Sequence, residues 1–294
     1  METKPINLVA WINPNQSALL LEVIKKSQAN CIAVGCNDLN ASKECAQELG
    51  FEGCHDLRTM ATKFDDALLW IAQHSAYDIE ICELLRNRTA PTITSTPLSG
   101  SMDSLIQQSG QLTAAYFVPL MRRSKDHSQI IDEIEQFGQP ELVECTMTCA
   151  PNEGTLGSRL FDAMDYVDSV FGTPESVQAF HVGKKISEEA CELSGHMTVN
   201  LKFAHQACAT LNLSDQAAWN RETQIISKGH TIKANESNAG IAPLISDAMH
   251  SVIKGDSAHV VADAPRIIAL CEAARLSCLT ESIEQPSKIL EMLE

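Results

Sequence analysis

The first hundred residues alternate short apolar runs with amphipathic stretches, at a spacing that few folds accommodate. Ile6-Asn7-Leu8-Val9-Ala10-Trp11 reads as a short buried strand, Ile12 to Gln16 as a tight turn, and Ser17 to Ile24 as a helix with one apolar face. Cys31 to Cys36 is a second strand, and the helix from Ala41 to Leu49 that follows it stops at Gly50. His55-Asp56-Leu57 leads into a short helix, and Asp66 to Ile71 is a third strand, apolar on both faces as parallel strands are. A helix at Ile79 to Arg86 and a strand at Pro91 to Ser95 continue the pattern. The alternation predicts a doubly wound parallel sheet over residues 1–116.

Beyond that point the rhythm changes. Ala115 to Leu120 and Leu142 to Met147 read as strands around a helix at Ser128 to Phe137, and further strands are expected at Ser176–Val182, His196–Phe203, Ala207–Leu213 and Glu222–Ile226. These runs show no long intervening helices, so residues 117–294 are expected to form an α+β domain with a mostly antiparallel sheet. Helices at Leu244–Ile253 and Ala264–Glu281 close the chain. The expected fold class is therefore α/β, with a doubly wound first domain and a mixed second one.

Charge narrows the range of partners. Lys and Arg total 22 against 38 Asp and Glu, a formal charge of −16, which disfavours nucleic acid and anionic membranes. Met1 to Pro5 lacks the basic start of a signal peptide and no segment has the apolar length of a membrane span, so a cytoplasmic protein is expected. Eleven cysteines without a C-x-x-C pair read as reduced thiols rather than a disulfide frame. Cys145 and Cys149 share one face of a strand but lack a nearby pair of histidines, so no metal site is expected.

The turn after the first strand carries the most chemistry. A strand–turn–helix unit that binds a dinucleotide needs glycines there, for the sharp turn, the close approach of a pyrophosphate and the packing of the helix. Residues 12–16 contain none. Instead Asn13 is a good N-cap, Pro14 suits the first helical position, and Gln16 sits where its side chain reaches back to the cap. Such a turn satisfies its own first N–H groups, which a nucleotide-binding turn leaves for phosphate. Ile12 puts a branched side chain where a phosphate would approach.

The order of elements and several local strings resemble the glucose-fructose oxidoreductase / inositol dehydrogenase (Gfo/Idh/MocA) family. The segments carrying the resemblance are Ala33-Val34-Gly35-Cys36-Asn37-Asp38 through Gly50, the third strand, Pro119 to Ser124 with the helix, Gly138 and strand after it, and Asp263 to Ser277. The resemblance implies a Rossmann-like first domain, NAD or NADP as cofactor, sugar- or polyol-like substrates, and homo-oligomers formed through the open face of the second sheet. It also implies where the functional residues fall. The glycine motif falls on Ala10-Trp11-Ile12-Asn13-Pro14-Asn15, and the ribose-binding acid on Cys36, with Asn37 and Asp38 next to it. The nicotinamide loop falls on Ala72-Gln73-His74-Ser75, and the Glu-Lys-Pro motif on Ser95-Thr96-Pro97. The D-x-G-x-H-x-x-D pattern falls on Ser158 to Asp165, so its histidine becomes Asp162 and its last aspartate is Asp165.

The positions implied for cofactor binding are thus Trp11, Ile12, Asn13, Asn15, Cys36, Asn37, Gln73, His74 and Ser95, and those for catalysis Thr96, Asp162 and Asp165. Thr96 has no titratable group to take a hydroxyl proton, and an aspartate with an ordinary pKa near 3.9 is a weak base unless its neighbour raises it. The expected function is a relative without classical cofactor binding or hydride transfer, acting on an unknown small molecule or protein partner as a binding or regulatory pseudo-enzyme. The alternative is an active NAD(P)-dependent oxidoreductase using unusual residues. A thiol or metal enzyme built on Cys36 and His74 is a third possibility. Arg122 and Arg123 suit either a carboxylate or phosphate fork or a salt bridge. Trp11, Trp70 and Trp219 read as packing, with Trp11 placed to fill the emptied pocket.

Overall fold

The computed structural model describes residues 5–73, 79–97, 115–124, 127, 130–134, 138, 140–184, 186, 193–235, 240–255 and 263–292. The chain divides into two compact units: Met1–Leu98, Gln111–Pro119 and Ile241–Val261 form the first, and Ser99–Gly110, Leu120–Gly240 and Ala262–Glu294 the second.

In the first unit the strands are β1 (Asn7–Trp11), β2 (Asn30–Gly35), β3 (Glu52–Cys54), β4 (Leu68–Ile71), β5 (Thr92–Thr94) and β6 (Tyr116–Phe117). They form one sheet in the order β3-β2-β1-β4-β5-β6, parallel throughout. The order reverses between β1 and β4, which is where doubly wound sheets bind ligands. Every residue of β4 is buried, and Leu8 to Trp11 of β1 are all fully buried, as a central parallel strand requires. The helices are α1 (Ser17–Ser27), α2 (Leu39–Leu49), α3 (Leu57–Lys63) and α4 (Ile79–Arg86). Asp38 and Asp56 cap α2 and α3 by accepting from two backbone N–H groups each. Gly50 ends α2 in the left-handed conformation, with φ 76°. A fifth helix, Ile241–Ile253, comes from far along the chain and packs on α1.

One of these strands escapes sequence reading. β3 has no apolar run to announce it, and it is held because Gly53 and Cys54 pair with Val34 and Gly35. The run Ala115–Leu120 contributes Tyr116–Phe117, which pairs with β5 as the sixth strand of the first sheet.

The second unit holds β7 (Leu142–Thr148), β8 (Ser176–Gly183), β9 (Gly195–Lys202), β10 (Cys208–Ser214), β11 (Asn220–Ser227) and β12 (His230–Asn235), in the order β12-β11-β7-β10-β9-β8. Only β7 and β10 run parallel; the other neighbours are antiparallel, as expected. The expectation that no long helix interrupts these strands is wrong. The 16-residue helix Leu156–Phe171, here α5, lies between β7 and β8. Its buried side carries Arg159, Asp162, Asp165 and Asp168, so its apolar period is broken and the helix is masked in a hydropathy reading. With Ile241–Ile253 as α6, the later helices among the described residues are α7 (Ala264–Thr280), packed on α5 and β8, and α8 (Pro286–Leu290). Of the expected helix at Ser128–Phe137, residues 130–134 are helical and the rest lies largely outside the described residues. Among the described residues no helix is long and apolar enough to cross a membrane. None of the ten described cysteines is in a disulfide.

Candidate functional site

At the carboxyl end of β1 the chain is closed on itself. Ile12, 1% exposed, donates its N–H to the Gly35 carbonyl at 2.9 Å and so extends the β1–β2 ladder one step. Asn13 donates its N–H to Gln16 Oε1 at 2.8 Å, Gln16 returns its own N–H to the Asn13 carbonyl at 2.9 Å, and Ser17 donates N–H to Pro14. Pro14 has no N–H to give. The turn is a 3-10 turn, Pro14–Gln16, running straight into α1, with Asn15 exposed on its outside. The donors with which a helix start holds phosphate are thus largely committed inside the turn.

Trp11 explains its neighbour. Trp11, Gly35 and Cys54 lie in register across β1, β2 and β3. A Cβ added at Gly35 would stand 2.8 Å from the Trp11 ring and 2.3 Å from the Cys54 carbonyl, so glycine is required for the indole to lie there. The indole is fully buried, and its Nε1 has no hydrogen-bond partner among the described residues. At the end of β2 the Cys36 thiol donates to the Asp38 carbonyl at 3.3 Å, and burial raises its pKa. Asn37 and Asp38 are exposed, but the Asp38 carboxylate accepts from Asn40 and Ala41 N–H at 2.9 and 2.8 Å as the cap of α2. It is occupied where a ribose-binding acid would be free.

The ends of β4 and β5 are similarly engaged. Gln73 is half-buried, with its N–H on the Trp11 carbonyl at 3.3 Å. His74 lies outside the described residues. Ser95 accepts from Trp70 Nε1 at 2.9 Å. Thr96 is 1% exposed; its N–H lies 3.2 Å from Thr94 Oγ1, and its carbonyl accepts from that hydroxyl at 2.6 Å.

The second unit gathers a buried set of charges around α5. Asp162 is fully buried, accepts the Met121 N–H at 2.7 Å, and lies between Arg221 at 3.3 Å and Arg159 at 3.7 Å. Asp165, one turn on, meets Arg122 at 2.6 Å; Asp168, a further turn on, meets Arg266 of α7 at 2.7 Å. The two candidate aspartates are therefore paired with arginines rather than solvated. Burial raises the Asp165 carboxyl to about 7 against the pull of Arg122, with Asp162 adding to the rise. His127 packs edge-on to Tyr166, with centroids 5.2 Å apart, and burial together with Arg122 and Arg123 lowers it to about 4. At neutral pH this imidazole is uncharged.

Arg159, Arg221, Trp219 and His127 are absent from the residues expected to matter. Two signals point to them: Arg159, Asp162, Asp165 and Asp168 recur every three residues, and Arg221 alternates with Thr223 and Ile225 on the buried face of β11. Arg122, singled out as a fork or a salt bridge, makes the bridge to Asp165.

No protein-family model and no curated protein sequence matches the chain. Solved structures do. The WlbA dehydrogenase from Bordetella pertussis, in complex with NADH and UDP-GlcNAcA, matches 96% of this chain and 99% of its own with TM-score 0.70 at 15% identity. Scyllo-inositol dehydrogenase from Lactobacillus casei with bound NAD(H) and scyllo-inositol matches 97% and 100% with TM-score 0.72 at 14% identity. Myo-inositol 2-dehydrogenase from Lactobacillus plantarum matches 96% and 99% with TM-score 0.69 at 13% identity.

Proposed function

The chain has the fold of the Gfo/Idh/MocA-type dehydrogenases, and we propose that it is a catalytically silent relative of them, a binding or regulatory protein rather than a hydride-transfer enzyme. One observation carries the reading: the turn at Ile12–Gln16 closes its own hydrogen bonds and contains none of the glycines that let a pyrophosphate approach the backbone. These residues do not fit a dinucleotide. The positions equivalent to the catalytic lysine and histidine agree with this. The Thr96 backbone is tied to the Thr94 hydroxyl in a buried site, and Asp162 is consumed by Arg159, Arg221 and the Met121 N–H.

Titration with NADH and NADPH, followed by nucleotide fluorescence and by calorimetry, tests the proposal. We expect no saturable binding up to about millimolar nucleotide, equivalent to less than ~4 kcal/mol of affinity. Micromolar binding of either nucleotide overturns it.

One observation favours the second reading, an active NAD(P)-dependent oxidoreductase on a sugar- or polyol-like substrate. Asp165, raised to about 7, is suited to accept a proton near neutral pH. At 3% exposure and against Arg122 it is poorly placed to reach one, so we rank this reading second. Reduction of NAD+ or NADP+ in the presence of inositols, lost in Asp165→Asn, is the outcome that would establish it.

We further propose a cytoplasmic homo-oligomer assembled through the open face of the second sheet. The free thiols suit a reducing compartment, and Phe180 and Val182 of β8 stand 56% and 70% exposed. Light scattering should give a multiple of the 32.1 kDa chain mass, reduced to the monomer by Phe180→Asp with Val182→Asp. A monomeric parent protein would contradict this.

A further inference from the structure

The exposed face of the second sheet is polar in its middle and apolar at one margin. In the middle, Thr198 donates to Asn212 and Thr210 to Asn200 across β9 and β10, at 3.2 and 3.1 Å, so these side chains already satisfy one another. Taking water off such a ladder gains little. Phe180, paired with Thr198 and so on the same face, is exposed at the margin, and Val182 beyond it is more exposed still. Ile283, next to the Glu284 that pairs with Val177, is exposed as well.

This margin also has main-chain groups to spare. Strand β8 ends the sheet, with β9 along one side of it. In an antiparallel strand every second residue turns its N–H and C=O to the same side. Val177 exchanges both bonds with Glu284, and Ala179 donates its N–H to Ser277 Oγ at 3.0 Å, so the outward set is Val177, Ala179, His181 and Gly183. Among the described residues the main chains of His181 and Gly183 meet no outward partner. Folded proteins usually blunt such an edge with a charge, a proline or a bulge. Ser176–Gly183 contains neither charge nor proline and pairs with β9 without a register shift.

We infer that this edge is where one copy of the chain meets another: His181–Gly183 of two copies pair antiparallel about a two-fold axis and join their second sheets into one. The free stretch is its own complement. With the axis at Val182, His181 of each copy faces Gly183 of the other, both main-chain groups of each residue find partners, and the two Val182 side chains pack across the axis. Charge favours the same spot, because copies of a chain with formal charge −16 repel and β8 is an uncharged strip through which they can approach. This contact presupposes the homo-oligomer proposed above and narrows it from the open face to the β8 edge of that face.

So short a contact is weak and reversible, and light scattering over a concentration series should rise from the 32.1 kDa monomer towards twice that mass. Val182→Cys should cross-link to its mate in oxidised glutathione, since Cα atoms paired in this way lie about 4.5 Å apart, within disulfide range. The parent protein sets the background from its native thiols, and Thr210→Cys, in the middle of the face, should add nothing to it. His181→Pro removes an edge N–H without altering the exposed face, a change that the solvent side of an edge strand tolerates, and should stay monomeric throughout. If that variant does not fold, Val182→Lys, at an exposed position, sets like charges across the axis and should do the same. A parent protein that is monomeric over the whole series overturns both the inference and the homo-oligomer reading. An oligomer that survives the edge variant, or that cross-links through Thr210→Cys and not through Val182→Cys, overturns the edge contact alone and leaves the open-face reading standing.

Discussion

Asp165 and His127 are both buried, both lie close to Arg122, and both are displaced from their ordinary titration ranges, in opposite senses of stability. Folding moves Asp165 from 3.8 to about 7, so the folded state holds its proton more tightly and stability falls as pH rises from about 4 to 7. Folding moves His127 from 6.5 to about 4, so the unfolded chain takes that proton first, and stability is lost as pH falls from 6.5 to 4. Each slope is bounded by about 1.4 kcal/mol per pH unit, and between pH 4 and 6.5 they cancel. Urea denaturation across this window should show the cancellation undone by single changes. Relative to wild type, Asp165→Asn should gain stability with rising pH, and His127→Phe, which keeps a ring against Tyr166, should lose it. Parallel curves for all three proteins would refute the pairing.

Elements in this fold are shaped as much by what stands beside them as by their own composition. The start of α1 illustrates the local case: Gln16 closes the Asn13 cap within four residues, and Gln16→Ala should cost about 1 kcal/mol without altering neighbouring strands. The row Trp11–Gly35–Cys54 is the opposite case, since the need for glycine arises on a different strand from the bulky side chain. Gly35→Ala should cost roughly 2–4 kcal/mol, because the Cys54 backbone cannot withdraw from a Cβ 2.3 Å away. Comparing the two denaturant midpoints tests the ranking. A Gly35→Ala protein no less stable than Gln16→Ala would mean that the strands yield more easily than their hydrogen bonding suggests. Helix α5 extends the point. Its buried aspartates would read as exposed in any pattern analysis, and they are buried because arginines from β11, from Met121–Arg123 and from α7 meet them there.

At the scale of the molecule, the first unit is completed by a segment more than a hundred residues away in sequence. Helix α6 presents Ile245, Ala248, Met249 and Val252 as buried residues and lies on α1, whose Leu19, Leu20 and Val23 are buried. A fragment of residues 1–119 should therefore expose an apolar patch worth several kcal/mol, at about 1.5–3 kcal/mol per large side chain, and should aggregate. The same fragment joined to residues 240–255 by a flexible linker should be soluble and cooperative in thermal unfolding. Equal behaviour of the two fragments would show that α6 is dispensable to the first unit.

Much of this architecture is written in local pattern. The β–α alternation, the cap at Asn13–Gln16, the stop at Gly50 and the strands β8 to β11 of the second sheet follow from hydropathy period and turn chemistry, which act over a few residues, whereas β12 was not among the expected strands. The absence of glycine between Ile12 and Gln16 was equally legible. Tertiary structure alone decided the rest. Glu52–Cys54 becomes a strand only because β2 offers it an edge, and Ile241–Ile253 crosses back to the first unit because α1 has an uncovered face. Whether Asp162 is a base or a buried counter-ion depends on Arg159, Arg221 and the Met121 N–H converging on it from different elements. A charged residue carries no local sign of the partner that will neutralise it, and for that reason the site chemistry, unlike the fold, could not be read along the chain.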